Sequence, residues 1–292
     1  MKDGTMKRLL MTTIAGSFLL LGTPKASALT TTLYDGSTGT LSSSPGWIYL
    51  DKRPGAPTAS STQTSDANGT IFDSTTNTNI ESGYSRVGTV LNAAAGYHLR
   101  FDLQLLKEFR NANASNNPDV DSLDDRAGLS LLIVSSDITK AIELGFFVDR
   151  IWAQEDGAIK ASPGANPQGT RFTQAEGVAF DTRTNVNQYD LSILNSNYFL
   201  YANNNYTTPI LAGRLRDYTS EVTTPFPNPY KTANTIFIGD NTTSASAEFR
   251  VNQVAFSDSA VTPVPFAFNP LLGFGMFGIS RLRKAVRKKA KV

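Results

Sequence analysis

The sequence predicts an all-β fold, a sandwich of two packed antiparallel sheets, and three observations lead to it. Apolar and polar residues alternate in short runs: Ile142, Leu144 and Phe146 share one parity, and Glu143 and Gly145 share the other. A period of two is typical of a strand with one buried face. Polar turn residues separate such runs at regular intervals, and no segment inside the body has convincing helical periodicity.

The stretch from Arg126 to Gln154 holds the centre of the predicted fold. Two apolar runs, Leu129–Val134 and Ile142–Val148, flank the polar turn Ser135-Ser136-Asp137. We therefore predict a central antiparallel pair, with alternate side chains of Ile142–Val148 facing the core.

The run from Tyr97 to Leu105 is predicted as another strand. A helix would place Leu99, Leu103 and Leu106 together, but the alternation accounts for more residues. His98, the single histidine of the chain, then falls on the polar parity, where we expect it to be solvated.

Further apolar runs between turn residues bring the prediction to about ten strands. They are Trp47–Leu50, Thr70–Phe72, Val178–Phe180, a hairpin of Tyr189–Ile193 and Tyr198–Tyr201 about Asn195-Ser196-Asn197, Ile210–Tyr218, Thr235–Gly239 and Glu248–Phe256. The polar segments Lys52–Asn68, Asn111–Asp125 and Gly157–Thr170 are predicted as loops.

Composition restricts the chemistry of the protein. The 292 residues include no cysteine, so packing alone must hold the fold and thiolate metal sites are excluded.

The net charge of +2 is unevenly distributed, and both ends of the chain are basic. Residues 1–28 carry four basic groups and one acid, and the last twelve carry seven basic groups and no acid. The body between them has a net charge of −8, which does not favour binding to nucleic acid.

Both ends resemble export signals. Residues 1–28 have the plan of a signal peptide: a basic head, the apolar core Leu9–Leu21, and Ala26-Ser27-Ala28, which predicts cleavage after Ala28. An uncleaved amphipathic or membrane helix is the alternative.

The body, 29–260, is followed by the segment 261–292, where uncharged Val261–Ile279 precedes a basic cluster. This segment is predicted as an apolar sorting or anchor helix with the basic cluster in the cytoplasm; a disordered amphipathic tail is the alternative.

The C-terminal segment, VTPVPFAFNPLLGFGMFGISRLRKAVRKK, resembles the sorting signals of bacterial envelope proteins, the PEP-CTERM class and its Pro-Phe-Glu relative. Those signals combine a Pro-led motif, an apolar helix and a basic tail. Here Ala267 follows Pro265-Phe266, where the relative has Glu. The resemblance implies a membrane contact and a sorting or processing peptidase as partners.

The body resembles the concanavalin A-like jelly-roll sandwich, in particular the "choice-of-anchor" domains found upstream of such signals. The segments that carry this resemblance are Asp125–Gly128, Ile142–Phe146, Ile151–Gln154, Leu215–Tyr218 and Phe237–Asp240. The resemblance implies a surface or secreted domain.

Candidate ligand-binding residues cluster on the polar parity of the central stretch. They combine carboxylates, guanidinium groups and an aromatic ring, the mixture that sugars bind: Arg126, Glu143, Asp149, Arg150, Trp152 and Glu155. The alternative is structural: Trp152 packs at one end of the sandwich, and Arg126 or Arg150 pairs with Glu143. Asp217 and Asp240 are expected to cap turns.

Two other chemistries are weaker. A glycosidase of this fold needs a second carboxylate two or four residues after Glu143, but Gly145 and Phe147 stand there. A loose structural Ca²⁺ site could form from Asp119, Asp121, Asp124 and Asp125, although no EF-hand pattern is present and a solvated acidic loop is the alternative. No other cofactor is expected.

The sequence thus predicts an exported, non-enzymatic cell-surface or extracellular-matrix module that binds polysaccharide. A structural surface protein without a small ligand is the alternative, and a glycoside hydrolase is less favoured.

Overall fold

The computed structural model describes residues 31–50, 61–76, 81–110, 126–155, 174–220, 228–242 and 245–261. The predicted signal peptide with its cleavage site at Ala28, the C-terminal segment after residue 261 and the four aspartates of the predicted Ca²⁺ loop lie outside these residues.

Fifteen strands form within the described residues, and every pairing between them is antiparallel. Three short 3-10 turns are the only helical elements in this part of the chain. The strands are β1 (Thr31–Asp35), β2 (Trp47–Leu50), β3 (Thr62–Asp66), β4 (Gly69–Asp73), β5 (Ser82–Arg86), β6 (Tyr97–Phe109), β7 (Leu129–Val134), β8 (Ala141–Phe147), β9 (Arg150–Gln154), β10 (Gln174–Ala179), β11 (Asn187–Leu194), β12 (Asn197–Ala202), β13 (Leu211–Arg214), β14 (Thr235–Asp240) and β15 (Ser246–Ser257).

The strands form two sheets. The eight-stranded sheet has the order β13-β12-β11-β6-β15-β4-β3, with β1 also paired to β15. The seven-stranded sheet has the order β10-β9-β8-β7-β14-β5-β2. The long strands β6 and β15 pair over most of their length at the centre of the first sheet, and β7 lies between β8 and β14 in the second.

One apolar core lies between the two sheets. Leu99 and Phe101 of β6 enter it from the eight-stranded sheet, and Leu131 of β7 and Leu144 of β8 enter it from the seven-stranded sheet. These positions alternate along each strand because successive side chains of a strand point to opposite faces. The predicted sandwich is therefore confirmed as an all-β fold of two antiparallel sheets.

The central pair is also confirmed. Leu129 of β7 lies opposite Phe146 of β8, and the register continues to Val134 opposite Ala141. The hairpin of β11 and β12 forms as predicted, with Leu194 opposite Asn197. Asn195 takes a φ of 57° in its turn, a conformation that asparagine tolerates better than most residues.

Two expectations about burial were wrong. β7 and β8 are buried on both faces, because the rings of Tyr218 and Tyr230 cover the outer face of the seven-stranded sheet. His98 is also not solvated: its exposed fraction is 0%. It lies on the outer face of the eight-stranded sheet, where Asp190 bonds to its ring.

The prediction of about ten strands was too low. β3 lies inside the segment predicted as a loop, and β1 and β5 form in Ser- and Thr-containing stretches that were given no strand. β3 is an edge strand whose residues are largely exposed. A strand in that position needs backbone partners more than an apolar face, so its sequence carries little alternation.

Replacing Leu144 by Ala is expected to reduce the free energy of unfolding by about 2–5 kcal/mol. Leu144 is fully buried between the sheets, so its loss leaves a cavity in a core that no disulfide reinforces. Urea denaturation of the purified chain measures the change. Ile48→Ala serves as the control, because Ile48 is largely exposed and its loss should change stability by no more than about 0.5 kcal/mol. Equal effects of the two variants would contradict the assigned core.

Candidate functional site

A closed polar cluster on the outer face of the seven-stranded sheet contains two of the predicted binding residues. This Glu143 cluster consists of Arg126, Glu143, Tyr218, Tyr230 and Asn241. Glu143 Oε2 accepts a hydrogen bond from the Tyr230 hydroxyl at 2.6 Å. Its Oε1 accepts from Asn241 Nδ2 at 3.3 Å and lies 3.5 Å from Arg126 Nη2.

Tyrosine rings seal this cluster from solvent. The Tyr218 hydroxyl donates to the carbonyl oxygen of Gln154 at 2.6 Å and accepts from the backbone N–H of Glu143 at 3.4 Å. The ring of Tyr218 meets that of Tyr230 edge-on, with centroids 5.7 Å apart. Burial raises the pKa of Tyr218, so its hydroxyl keeps its proton as a donor. Only 1% of Glu143 is exposed, and its oxygens are already occupied by the chain's own donors.

Trp152 of β9 lies beside this cluster on the outer face of the seven-stranded sheet, and its ring is buried. Its exposed fraction is 1%, and it contacts Ala127 and Phe147. The indole fills the space above Gly145 of β8, where an added Cβ would lie 2.5 Å from ring atoms. Trp152 therefore offers no free ring face on which a sugar could stack.

The other three predicted binding residues lie apart from Glu143. Asp149 is 70% exposed at the β8–β9 turn and pairs with Arg110 at 2.6 Å. Glu155 follows β9 and pairs with Arg216 at 2.7 Å. Arg150 starts β9 and extends across Gly177 of β10. The structure thus joins Arg126 to Glu143, as the structural alternative expected, but does not gather the six candidates into one open groove.

The predicted turn caps are present. Asp217 accepts hydrogen bonds from the N–H and hydroxyl of Thr219. Asp240 accepts one from the N–H of Thr242, but its other oxygen accepts from the Ser74 hydroxyl at 2.6 Å. Burial raises the pKa of Asp240 well above its ordinary value. Asp240 therefore also links β14 to the end of β4 inside the protein.

A second polar cluster lies on the outer face of the eight-stranded sheet and centres on Asp190. We call His98, Arg100, Gln188, Asp190 and Tyr206 the Asp190 cluster. Asp190 Oδ1 accepts hydrogen bonds from His98 Nε2 at 2.8 Å and Arg100 Nε at 3.0 Å. Its Oδ2 accepts from Gln188 Nε2 at 2.5 Å and from the Tyr206 hydroxyl at 3.1 Å.

These bonds keep the Asp190 carboxylate ionised. Burial acts to raise its pKa, but the hydrogen bonds from His98 and Gln188, together with the charge of Arg100, outweigh burial, and the pKa lies below its ordinary value. An ionised carboxylate only accepts hydrogen bonds, so His98 Nε2 must carry a proton.

Unlike the Glu143 cluster, the Asp190 cluster is partly open. The Arg100 side chain is 22% exposed, and Gln188 and Tyr206 are half-buried. Exposed Asn203 and Asn204 form the adjacent turn. Asp102 of β6 lies next to the cluster, opposite Gln188 on β11, and burial raises its pKa to about 6.

Sequence reasoning missed this cluster because its members come from three separate segments. His98 and Arg100 alternate with core residues of β6, and Asp190 alternates with core residues of β11. That alternation marks them as outward-facing. Only the pairing of β6 with β11, which sets Arg100 opposite Asp190, brings them together, and the sequence does not specify that pairing.

Two further observations limit the chemistry of the described residues. No group of three or more histidine or acidic side chains among them has the arrangement of a metal site. No helix within the same ranges is long and apolar enough for a membrane crossing.

No protein-family model matches the chain. No curated protein sequence matches it. Its fold is similar to that of the VIP36 exoplasmic/lumenal domain in the Ca²⁺/Man2-bound form, at 11% identity and a TM-score of 0.43, covering 82% of this chain and 91% of that one.

Two further solved structures have a similar fold. One is a carbohydrate esterase from the Shiga toxin-encoding bacteriophage phi24B, at 15% identity and a TM-score of 0.40, covering 77% of this chain and 95% of that one. The other is alginate lyase A1-II′, at 12% identity and a TM-score of 0.41, covering 74% and 95%. Similarity at this level concerns the arrangement of the sheets and not any individual residue.

Replacing Arg126 by Met is expected to lower the free energy of unfolding by about 3–5 kcal/mol, because it leaves the buried Glu143 carboxylate without a cation. The double variant Arg126→Met/Glu143→Gln should recover part of that loss, since the charge is then gone. Urea denaturation measures both. Arg250→Met is the matched control: its ion pair with Asp66 lies at the surface and should contribute about 1 kcal/mol or less. The same loss in Arg126→Met and Arg250→Met would refute a structural role for the Glu143 cluster.

Replacing Asp102 by Asn is expected to stabilise the protein at neutral pH. The pKa of Asp102 rises from an ordinary 3.8 to about 6 in the fold, so the folded state holds its proton more tightly than the unfolded state. The contribution of Asp102 to wild-type stability therefore falls as pH rises between these two pKa values, and this contribution is constant above them. The Tm difference between Asp102→Asn and wild type should widen from about pH 4 to about pH 7. The exposed Asp258→Asn is the control, and a pH-independent difference for Asp102→Asn would contradict the argument.

Proposed function

We propose that this protein is an exported cell-surface or extracellular-matrix module that binds polysaccharide. Export rests on the signal-peptide plan of residues 1–28 and on the C-terminal sorting plan of residues 261–292. In this proposal a sorting or processing peptidase acts on the C-terminal segment, which either anchors the body in the membrane or releases it. The acidic body between the two basic ends takes no nucleic acid as its partner.

The observation that carries the binding function is the partly open Asp190 cluster. It presents the Arg100 guanidinium and the Gln188 amide, both held by the same buried carboxylate, on strands β6 and β11 of the eight-stranded sheet. Sugar hydroxyls bind to planar, pre-positioned donors and acceptors beside aromatic rings. Because Asp190 fixes Arg100 and Gln188 before a ligand arrives, these two side chains lose little conformational freedom on binding.

We propose that the module binds polysaccharide without hydrolysing it. Retaining and inverting glycosidases use two carboxyl groups that flank the bond to be cleaved. In β8 the only acidic residue is Glu143, both of whose oxygens are occupied by donors of the Glu143 cluster. The concanavalin A-like, jelly-roll assignment of the sandwich belongs to the same proposal.

A structural surface protein without a small ligand is the second candidate. The Glu143 cluster favours it, because tyrosines of the chain itself cover the outer face of the seven-stranded sheet. Deletion of the protein would then weaken the envelope or biofilm, while the purified body would bind no glycan.

The full chain, recovered from the envelope or medium with Leu29 as its first residue, is expected to migrate more slowly through native gels that contain a polysaccharide. Arg100→Lys should weaken this retardation about tenfold, because lysine keeps the charge but loses the planar fork. Arg214→Lys is the control, since Arg214 is exposed on edge strand β13. If the wild-type protein is folded, as its melting curve would show, and no neutral or acidic polysaccharide retards it, polysaccharide binding is excluded and the structural candidate is favoured.

A further inference from the structure

Three polar atoms next to the Asp190 cluster have no hydrogen-bond partner among the residues that the structure describes. They are His98 Nδ1, the Ser192 hydroxyl and the Tyr201 hydroxyl, and none of the three residues is exposed. A buried polar atom without a partner destabilises a fold, so a protein rarely keeps several of them together. This concentration therefore indicates a partner group that the described residues do not supply.

Strand register places these three atoms beside one another. Ser192 of β11 lies opposite His98 of β6, and Tyr201 of β12 lies opposite Asp190 of β11. Side chains opposite each other in an antiparallel pair have Cβ atoms about 5 Å apart. All four residues point away from the core, because Leu191 and Leu200 occupy the inward positions of the same strands. The unpartnered atoms thus border the Asp190 cluster on one face of the sheet.

The chemistry of these atoms selects hydroxyl groups as their partner. His98 Nε2 donates to Asp190, so the Nδ1 of a neutral His98 can only accept. The Ser192 and Tyr201 hydroxyls both donate and accept. A ligand carboxylate could not donate to Nδ1, and an ammonium group could not accept from the hydroxyls. A set of neighbouring hydroxyl groups satisfies all three atoms.

The Tyr206 hydroxyl already occupies a place suited to a ligand hydroxyl. It accepts from Arg100 Nη2 at 2.8 Å and donates to Asp190 Oδ2 at 3.1 Å. Tyr206 follows a turn in which Asn203 and Asn204 both have positive φ, and its half-buried ring contacts the rings of Tyr201 and His98. The ring therefore lies against two of the three residues with unpartnered atoms, His98 and Tyr201, and its hydroxyl makes the bonds that a sugar hydroxyl would make.

We propose that a neutral sugar residue binds on the outer face of the eight-stranded sheet, with one hydroxyl replacing that of Tyr206 between Arg100 and Asp190. Neighbouring hydroxyls of the sugar bond to His98 Nδ1, Ser192 and Tyr201 as the Tyr206 ring moves aside. The sugar is uncharged because Arg100 already balances Asp190, and because the acidic body repels anionic chains. This site rests on the proposed polysaccharide-binding function and specifies where and what the protein binds.

The single histidine makes the test direct. Full-chain protein labelled with ¹⁵N-histidine gives signals from His98 alone, and its Nε2 should be the protonated nitrogen. Oligosaccharides of mannan, laminarin and xylan are the neutral probes, and those of alginate and polygalacturonate are the acidic ones. A neutral probe is expected to shift the Nδ1 resonance upfield, because Nδ1 gains a hydrogen-bond donor, and the acidic probes are expected to leave it in place.

Variants identify the contacts. Ser192→Ala and Tyr201→Phe should each weaken binding of the neutral probe about fivefold, the effect of one neutral hydrogen bond. Tyr206→Phe should strengthen binding, because the competing hydroxyl is gone. Ser246→Ala is the matched control: Ser246 is an equally buried, unpartnered serine of the same sheet at the far end of β15. Binding is compared only for variants whose melting temperature is close to that of the wild type, so that a loss of binding does not reflect unfolding.

The outcomes separate this site from the proposed function. If a neutral probe binds but the His98 signal stays in place and Ser192→Ala and Tyr201→Phe bind like wild type, the site is wrong and polysaccharide binding stands. If only acidic probes shift the His98 signal, the neutral sugar is wrong. If none of the probes binds, the site and the proposed function both fail.

Discussion

The apolar layer between the two sheets is the constraint on which the rest of the structure depends. The chain has no disulfide to join its sheets, so the inward side chains of β6, β7, β8 and β11 must hold them together. Burial of apolar surface contributes about 25 cal/mol per Å² and has no directional preference. The alternation along each strand then fixes which side chains lie on the outer faces of the sheets, because strand residues that do not point into this layer point away from it.

The outer face of each sheet buries one carboxylate, and the same residue types surround it on both faces. A carboxylate stands on a central strand, an arginine pairs with it, and a tyrosine hydroxyl donates to it: Arg126 and Tyr230 at Glu143, Arg100 and Tyr206 at Asp190. A buried carboxyl group is stabilised by hydrogen bonds and by a neighbouring cation, which explains the common set. The difference lies in the surroundings: two unpartnered hydroxyls and the unpartnered Nδ1 of His98 border Asp190, whereas the unpartnered indole nitrogen of Trp152 lies beside the Glu143 cluster.

The sequence predicted the layer well and the outer faces poorly. Period-two runs such as Ile142–Phe146 report burial on one face directly, so the central pair and the β11–β12 hairpin followed from them. The same pattern treats every outward residue as solvated, which failed at His98 and Glu143. Their covers, Tyr206 and Tyr230, come from loops whose place over a sheet depends on strand order. Edge strands such as β3 were missed because backbone pairing, and not side-chain pattern, forms them.

The two tyrosines, Tyr206 and Tyr230, explain why we propose a binding site on one face of the sandwich and a structural role for the other. To free Glu143, Tyr230 would have to leave a fully buried position packed with Tyr218, Leu132 and Phe237, and burial of such a ring contributes about 2–3 kcal/mol. Beside it, one unpartnered atom of the described residues, the Trp152 indole nitrogen, could gain a partner, against three at Asp190. Tyr206 is only half-buried on a loop, so moving its ring costs less burial. In the proposed complex a sugar hydroxyl restores both bonds of the Tyr206 hydroxyl, and the three unpartnered atoms gain partners as well. The larger gain that we propose at Asp190 therefore comes from hydrogen bonds that the described residues leave unmade.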